Sequence, residues 1–271
     1  MNLSEGRLGR TFLRFATPFA NLRKLPVIGP CLRWASAKLV PRDSLTWIQV
    51  HNGPAKGIWL HLNPRTGRAY FEGQVEPEVQ AALQKYLRPG MTFYDVGANI
   101  GFFSLLAARL VGPQGHVVAF EADPEIAARL REQVTRNSNT PIAVEEKAVW
   151  SSSDPVFFAR ADANISPDRG LGHVVTKGVD EIAPGIIWVG AVSLDDYVAA
   201  SAEPDFIKCD VEGAEVEVFR GAQKLLSNKK PAILCEMHGE ENHRILTEEF
   251  TRLGYRCESC GTNHVLAQFP K

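Results

Sequence analysis

Two acidic residues, each near the end of an apolar segment, flank a short turn of small residues. The segment Thr92–Val96 contains Asp95 and leads into residues 97–101 (GANIG), and the segment His116–Phe120 is followed by Glu121. A turn this small lets the backbone approach a nucleotide-like ligand closely, and an acid after the second segment can accept both ribose hydroxyls. The pattern predicts a strand–turn–helix unit that binds such a ligand.

The residues of the turn separate two classes of ligand. A pyrophosphate-binding turn needs glycine where this chain has Asn99 and Phe102, and the Asp95 carboxylate would repel a phosphate. An acid at this place suits a cationic ligand, and S-adenosylmethionine carries an ammonium and a sulfonium group. The turn alone also fits an ordinary strand–turn–helix unit, but Glu121 favours the nucleotide interpretation and a nicotinamide-dependent oxidoreductase is disfavoured.

A second group of polar residues follows a later apolar segment, FIKCDVEGAE at 206–215. Alternate side chains of a strand share a face, so Lys208, Asp210 and Glu212 should point together. Glu236 and His238 share a face at the end of the next apolar segment. If these strands are neighbours, all five residues converge at the carboxyl edge, where open α/β sheets bind ligands. A structural ion pair between Lys208 and Glu236 is the alternative.

The elements that carry these residues alternate between strands and helices. Apolar segments predict strands at 92–96, 116–120, 142–149, 206–211 and 232–237. Periodic segments predict helices at 76–87, 100–110, 124–137, 214–226 and 240–253. Residues 255–257 and 265–269 should close the chain as an antiparallel pair. Such alternation implies a parallel, doubly wound sheet.

Two regions depart from this alternation. Residues 46–71 alternate apolar and polar side chains around turn signals at 52–53 and 65–67, which predicts β-hairpins. Residues 150–203 are less regular, with strands at 156–159 and 186–192 and a loop at 164–172. An excursion of this length inside a compact domain is usually functional or a cover. We therefore divide residues 46–271 into a hairpin lead-in (46–75), a core and an insertion (150–203).

The first 45 residues form a separate, basic segment. Arginines and lysines far outnumber the acids there, with apolar residues at near-helical spacing. The segment at 7–42 is either an amphipathic element that contacts a membrane surface or a helix that packs on the domain, and we favour packing.

Composition sets further bounds. The chain has 271 residues and a net charge of −1, so a broad nucleic-acid footprint is not indicated. No apolar run approaches the roughly 20 residues of a spanning helix. Five cysteines without a framework spacing indicate a reducing, cytoplasmic compartment. Cys257 and Cys260, followed by His264, suggest zinc only weakly, and cysteines flanking a hairpin turn are the favoured interpretation.

Together the two acidic motifs resemble the FkbM family of S-adenosylmethionine-dependent methyltransferases. The matching stretches are DVGANIG at 95–101, AFE at 119–121, IKCDVEGAE at 207–215, EPE at 76–78 and the strand that ends in Glu236. The paired motifs are specific, and the resemblance spans most of the chain except the basic N-terminal segment. Ala122 stands where the family commonly has proline, and Cys209 where isoleucine is frequent, but neither residue is a charged cofactor contact.

The resemblance implies the α/β fold of class I methyltransferases. This is a Rossmann-like, mostly parallel sheet of seven strands with an antiparallel last strand, here with an N-terminal helical and β-hairpin extension. It also implies S-adenosylmethionine as cofactor and O-methylation of a hydroxyl on a sugar, lipid, polyketide or peptide-type acceptor. Substrate transfers least well between members, because a fold does not fix a function.

Each residue near the first turn then has an expected role. Asp95 would hold the methionine ammonium group, directly or through water, and Glu121 would hold the ribose hydroxyls. Close approach to the cofactor is expected for the turn backbone at Gly97, Ala98, Asn99 and Gly101. Ala122, Lys147 and Ala148 complete the expected cofactor-binding residues, the last two beside the adenine.

The second group of residues would serve the acceptor. His238 is the first candidate for a general base, because an unperturbed imidazole titrates near neutral pH. Asp210 is the second candidate. Alternatively, Asp210 and Glu212 bind a divalent cation that lowers the pKa of the acceptor. The sequence leaves these alternatives open, and no metal site is assigned. A cofactor-binding regulatory or scaffold protein without turnover is the alternative function.

Overall fold

The computed structural model describes residues 45–64, 67–137, 141–161, 172–175 and 184–270. These residues fall into two compact units, a small one that ends at Val75 and a large one that begins at Glu76. The basic N-terminal segment and nearly all of the predicted loop at 164–172 lie outside the described residues. The division of the chain into segment, lead-in, core and insertion therefore stays a prediction.

Strands and helices alternate along most of the described chain. The strands are β1 (Thr46–Gln49), β2 (Trp59–Leu62), β3 (Thr92–Val96), β4 (His116–Phe120), β5 (Ile142–Glu145), β6 (Ala148–Val149), β7 (Val156–Ala159), β8 (His173–Val174), β9 (Ile186–Val189), β10 (Ala191–Val192), β11 (Phe206–Cys209), β12 (Ala232–Glu236), β13 (Arg256–Cys260) and β14 (His264–Gln268). The helices are α1 (Arg68–Glu72), α2 (Pro77–Tyr86), α3 (Phe102–Val111), α4 (Pro124–Arg136), α5 (Leu194–Val198), α6 (Glu215–Arg220), α7 (Gln223–Asn228) and α8 (Glu240–Arg252). None of these helices has the length and apolar character needed to cross a membrane.

The large unit is built on a seven-stranded sheet in the order β13-β14-β12-β11-β3-β4-β5. The five strands β12, β11, β3, β4 and β5 are parallel, and β14 runs antiparallel to both of its neighbours, β12 and β13. This confirms the predicted Rossmann-like sheet with an antiparallel last strand. From β3 the chain builds outward first through β4 and β5 and then, on the other side, through β11 and β12. The carboxyl ends of β3 and β11 therefore form the switch point of the sheet, where ligands bind in such folds.

Alternation gives the two faces of the sheet different characters. Tyr94, Ile207 and Ile233 belong to an apolar cluster with buried residues of α6, α7 and α8. Asp95 and Lys208, which are register partners on β3 and β11, lie on the opposite face. The Lys208 ammonium group lies 5.1 Å from the ring centroid of Phe103 on α3. The polar groups of the second motif are thus placed on the face that α3 covers.

Two predicted strands are each divided between sheets. The strand expected at 142–149 is β5 in the central sheet and β6, which pairs in parallel with β10. The strand expected at 186–192 is β9, in an antiparallel sheet with β7 and β8, and β10. The division follows from pairing, because the Ala148 amide donates to the Gly190 carbonyl at 2.9 Å and starts a new ladder there.

The helix predicted at 214–226 is broken into α6 and α7. The Gly221 carbonyl accepts from the Asp195 amide at 2.8 Å, so this carbonyl serves a contact outside the helix. A Cβ at Gly221 would lie 2.2 Å from the Trp150 carbonyl oxygen, so the glycine is required for this approach. The Asp195 carboxylate then caps α7 by accepting from the Leu225 amide at 2.9 Å.

The small unit contains one of the two predicted hairpins. β1 and β2 pair in antiparallel register, with Thr46 opposite Leu62, which confirms the first. The second, expected around residues 65–67, is wrong, because the residues after Gly67 form α1. The Phe71 amide donates to the Gly67 carbonyl at 2.9 Å, and Arg68 pairs with Glu72 one turn later at 2.9 Å.

A partly buried ion pair joins the insertion to α4. Arg160, directly after β7, donates from Nε and Nη2 to the two carboxylate oxygens of Asp123 at 2.8 and 2.9 Å. Asp123 is 2% exposed and caps α4 by accepting from the Glu125 amide. Burial alone would raise the pKa of Asp123, but the hydrogen bonds from Arg160 lower the pKa below its ordinary value.

Removing this pair should destabilise the large unit. We expect Arg160→Met to lower the free energy of unfolding by about 1.5–3 kcal/mol, because hydrogen bonds to a charged, buried group are lost. Urea denaturation near neutral pH measures this change. Arg131→Met is the matched control, since Arg131 pairs with Glu146 through side chains that are 46% and 41% exposed. Exposed pairs contribute about 0–1 kcal/mol. Equal losses in both variants would contradict a structural role for Arg160.

Candidate cofactor and acceptor site

The turn after β3 requires its glycines. Gly97 has a φ of +78°, and a Cβ there would lie 1.8 Å from the Asp210 carbonyl oxygen. Gly101 has a φ of +81°, and a Cβ there would lie 2.0 Å from Leu130 on α4. Asn99 adopts a φ of +48°, a left-handed conformation that asparagine tolerates better than most residues. The turn therefore packs against the residue after β11 and against α4 more closely than side chains at these two positions would allow.

Glu121 closes the turn from the second strand. Its Oε2 accepts from the Asn99 amide and its Oε1 from the Asp123 amide, both at 2.8 Å. Burial raises the pKa of Glu121 to about 7, although both backbone hydrogen bonds lower it. Because a carboxylate oxygen has two lone pairs, each oxygen keeps one for a further donor. Glu121 thus combines a structural contact to the turn with free capacity toward the cleft.

Asp95 lies beneath the turn and is buried. Its Oδ2 accepts from the Ser104 hydroxyl at 2.5 Å, and its Oδ1 lies 3.9 Å from the Lys208 ammonium nitrogen. Burial raises the pKa of Asp95, and Lys208 opposes that shift. Asp95 Oδ1 and Asn99 Oδ1 are buried acceptors without a hydrogen-bond partner among the described residues.

A cleft of about 640 Å³, a figure that includes solvent at its open side, lies over these groups. Of the predicted cofactor residues, the cleft is lined by Gly97, Asn99, Glu121, Ala122, Lys147 and Ala148. Asp210 and Glu212 from the second motif also line it. The predicted residues Asp95, Ala98 and Gly101 lie outside the lining, because they support the turn from below or begin α3.

The insertion supplies an apolar wall that sequence reasoning missed. Phe158 on β7 and Val174 on β8 line the cleft together with Phe120 and Ala148. Phe158 and Ala148 belong to a small buried cluster of their own. An apolar wall in the same cleft as Glu121 suits the flat face of an adenine. The apolar segment at 156–159 predicted a strand, but its packing partners could not be inferred from one strand.

His238 is held by a buried carboxylate. Its Nδ1 lies 2.7 Å from Glu215 Oε1, and its Nε2 lies 3.4 Å from Glu212 Oε2. Glu215 is fully buried at the start of α6 and also accepts from Asn242 Nδ2 at 2.8 Å. The hydrogen bond to Glu215 is the main cause that raises the pKa of His238 to about 9. The near-neutral titration expected from the sequence is therefore corrected, and the role of Glu215 was missed.

The polar residues of β11 and β12 converge as predicted, since these strands are neighbours. Lys208 Nζ lies 3.3 Å from Asp210 Oδ2, and Glu236 Oε1 lies 4.0 Å from His238 Nε2. Burial alone would raise the pKa of Asp210, but Lys208 lowers it below the ordinary value. The suggested ion pair between Lys208 and Glu236 is replaced by pairs of Lys208 with Asp95 and Asp210.

The C-terminal cysteines do not flank the hairpin turn. Cys257 and Cys260 both lie on β13, and their odd spacing places them on opposite faces of that strand. His264, on β14, instead lies near Glu76 and Glu236, with its Nε2 3.5 and 3.7 Å from their Oε2 atoms. The sequence grouped His264 with the cysteines because they are close in the chain, whereas the sheet places it with acids from distant segments.

The strand order and the glycine turn define a class I methyltransferase fold, and the family model for the FkbM methyltransferase domain matches residues 95–257. The match covers more than half of the chain and includes both acidic motifs. The chain therefore belongs to the FkbM methyltransferase family, and its cofactor is S-adenosylmethionine. Both expectations from the sequence are thereby confirmed.

Two curated relatives share 30% or less of their residues with this chain over the aligned regions. The hexuronic acid methyltransferase AglP of Haloferax volcanii is 27% identical over 175 residues, 64% of this chain and 66% of that protein. An arsenite methyltransferase of Halobacterium salinarum is 30% identical over 129 residues, 46% of this chain and 32% of that protein. The chain thus spans less than two thirds of the length of these curated relatives.

Solved structures resemble the fold at lower identity. The crystal structure of a methyltransferase FkbM from Methylobacillus flagellatus is 17% identical, covers 70% of this chain and 50% of that chain, and has a TM-score of 0.46.

The described residues fit the cofactor in two respects. Asn99 lines the cleft, and its buried Oδ1, which has no hydrogen-bond partner among the described residues, suits a ligand that donates hydrogen bonds. The free lone pairs of Glu121 suit a pair of ribose hydroxyls, and the glycines leave the turn backbone accessible. The polar side chains and the backbone of the turn thus each fit the cofactor.

Replacing Glu121 should weaken cofactor binding. We expect Glu121→Ala to weaken S-adenosylhomocysteine binding by about 1.5–3 kcal/mol, the range for a charged hydrogen-bond partner. Calorimetry measures this change. Since burial raises the pKa of Glu121 to about 7, wild-type affinity should increase from about pH 6 to about pH 8 as the carboxylate forms.

A second ligand separates direct contact from loosening of the turn. The 2′-deoxy analogue of S-adenosylhomocysteine should bind the wild type more weakly than the parent ligand, and both should bind Glu121→Ala equally. If the analogue loses the same affinity in both proteins, Glu121 acts only by holding the turn.

Proposed function

We propose that this chain transfers the methyl group of S-adenosylmethionine to a hydroxyl oxygen of a sugar, lipid, polyketide or peptide-type acceptor. One observation supports this proposal above the others. Glu212 lines the cofactor cleft, and its carboxylate also contacts the imidazole of His238, which a buried glutamate orients. A candidate base thus adjoins the space where the cofactor would lie.

The proposed division of roles follows the two ends of the cleft. When bound, the cofactor supplies an electrophilic methyl group on its sulfonium. The chain mainly aligns the reactants, which is worth up to about 7–11 kcal/mol in well-oriented systems. Glu121 would hold the ribose, and the adenine would be bordered by Lys147, Ala148 and Ala122. Asp95, being buried, would act through water. The turn backbone at Gly97, Ala98, Asn99 and Gly101 would lie along the cofactor.

His238 and Glu215 together suit removal of the acceptor proton. In the neutral tautomer, Nδ1–H donates to Glu215, and the lone pair of Nε2 is available to a hydroxyl. A base oriented in this way by a carboxylate contributes typically about 10²–10⁴-fold to the rate. Glu215 is a positioning residue in this scheme. Asp210 is a weaker base, because the neighbouring ammonium group of Lys208 lowers its pKa.

Among acceptor classes, a hydroxyl-rich molecule suits the site best. Carboxylates and an imidazole accept hydrogen bonds, which sugars offer in number and apolar polyketides do not. AglP, named for a hexuronic acid, is consistent with a sugar-type acceptor.

A pH profile tests the role of His238. Because the base must be neutral, and hydrogen bonding to Glu215 raises the pKa of His238 to about 9, kcat/KM should rise with pH up to about 9. The reaction is measured with labelled S-adenosylmethionine and whichever of a panel of glucosides and glucuronides is methylated. His238→Gln should lower kcat by about 10²-fold with cofactor affinity unchanged. His243→Gln, an exposed histidine on α8, is the matched control.

An acceptor-independent measurement accompanies the kinetics. NMR titration of the His238 imidazole should show a raised pKa in the wild type and a lower one in Glu215→Gln, where the buried charge is removed. A flat kcat/KM from neutral pH upward, or normal kcat in His238→Gln, would contradict the base assignment. Cofactor binding without turnover on any acceptor would favour a regulatory or scaffold protein.

A further inference from the structure

His264 is a buried histidine whose ring nitrogens lack hydrogen-bond partners. It is 5% exposed, and neither Nδ1 nor Nε2 makes a hydrogen bond to any described residue. Glu76 Oε2 is likewise buried without a hydrogen-bond partner. Leaving a buried polar group unsatisfied costs about 1–3 kcal/mol, so these atoms call for an explanation.

His264 Nε2 lies beside two carboxylate oxygens, at distances longer than those of hydrogen bonds. His264 Nε2 lies 3.5 Å from Glu76 Oε2 and 3.7 Å from Glu236 Oε2. An N–H···O hydrogen bond measures about 2.7–3.2 Å. By contrast, ligand atoms at about 2.0–2.1 Å from a tetrahedral ion lie roughly 3.3 Å from each other. The separations are therefore close to those of atoms that share a metal ion.

Rigid elements hold the three side chains in place. Glu236 and His264 are direct register partners on the antiparallel strands β12 and β14. Glu76 precedes α2 and adopts a left-handed backbone with a φ of +38°. One ligand atom from each of the three residues lies within 4.8 Å of the others. Ligands fixed by strands and a helix start need little reorganisation on binding.

We propose that Glu76, Glu236 and His264 bind a divalent first-row transition ion, Zn²⁺ or Mn²⁺. One imidazole and two carboxylates suit these ions. Three protein ligands leave further coordination positions for water or an acceptor oxygen, as in catalytic rather than structural sites. The site is distinct from the Asp210 and Glu212 alternative considered from the sequence, and its occupancy does not depend on the proposed methyl transfer.

A neighbouring set of residues is less suited to an ion. Asp210, Glu236 and His238 also approach one another. However, Asp210 is paired with the ammonium group of Lys208 at 3.3 Å, and His238 is bound to Glu215 at 2.7 Å. A metal there would displace a hydrogen bond and meet a buried positive charge. Glu236 therefore directs one oxygen toward each set, and only the set with His264 has unpartnered ligand atoms.

Ion binding is measured on the full chain after treatment with a chelator. Isothermal titration with Mn²⁺ and Zn²⁺ should show one ion per chain, and Mn²⁺ binding should appear independently in the electron paramagnetic resonance signal of free Mn²⁺. Mg²⁺ should bind at least about 10-fold more weakly, since imidazole is a poor ligand for it. Because the ion binds the folded state, it should also raise the melting temperature.

Variants locate the ion. His264→Gln and Glu76→Gln should each weaken binding by at least about 10-fold. Glu76 is partly exposed, so Glu76→Gln keeps the test valid if the buried His264→Gln fails to fold. Asp210→Asn and the control His243→Gln should stay within a few-fold of wild type. Absence of binding to the wild type, or loss in Asp210→Asn but not in Glu76→Gln or His264→Gln, would overturn the proposal.

Discussion

The buried ammonium group of Lys208 links the turn after β3 to the proposed acceptor edge, which is the carboxyl end of β11 and β12. It is 2% exposed and lies between Asp95 at the end of β3 and Asp210 after β11. An unpaired charge in this position would cost several kcal/mol. Lys208 therefore needs the carboxylates of both Asp95 and Asp210. Burial alone would lower the pKa of Lys208, but Asp210 and Asp95 raise it above the ordinary value. The two halves of the site are thus held by one shared charge.

The register of the sheet places further polar residues level with Asp210 on the neighbouring strands. Asp210 follows Cys209, whose register partners are Val96 on β3 and Cys235 on β12. Asp210 is therefore level with the glycine turn on one side and with Glu236 on the other, and Glu236 is opposite His264. A single row across four strands carries the turn, the acceptor edge and the proposed ion site. A shift of one strand by a residue would turn its polar side chain to the opposite face.

Sequence patterns were sufficient where structure is local. The bounds of β3 and β4 agree with the prediction residue for residue, because apolar runs between turn signals define such strands. The division of 142–149 was not predictable, since it depends on Gly190, more than forty residues later in the chain. For the same reason Glu215 looked like an ordinary helix start, although it orients His238. Alternation predicted which residues share a face, but not which distant residue completes each contact.

The charge of the proposed acceptor edge limits what this edge can bind. Four carboxylates, those of Glu76, Asp210, Glu212 and Glu236, lie along it. Burial raises the pKa values of Glu212 and Glu236, which reflects the cost of holding negative charge there. Lys208 is already paired with Asp210, and a protonated His238 offsets only part of the negative charge of the other three carboxylates. If this edge serves the acceptor as proposed, a neutral sugar can meet these carboxylates with hydroxyl donors, whereas a uronate would be repelled by them while the ion site is empty. A divalent ion beside Glu236 would remove that repulsion, so the charge of the acceptor and the occupancy of the ion site are expected to depend on each other.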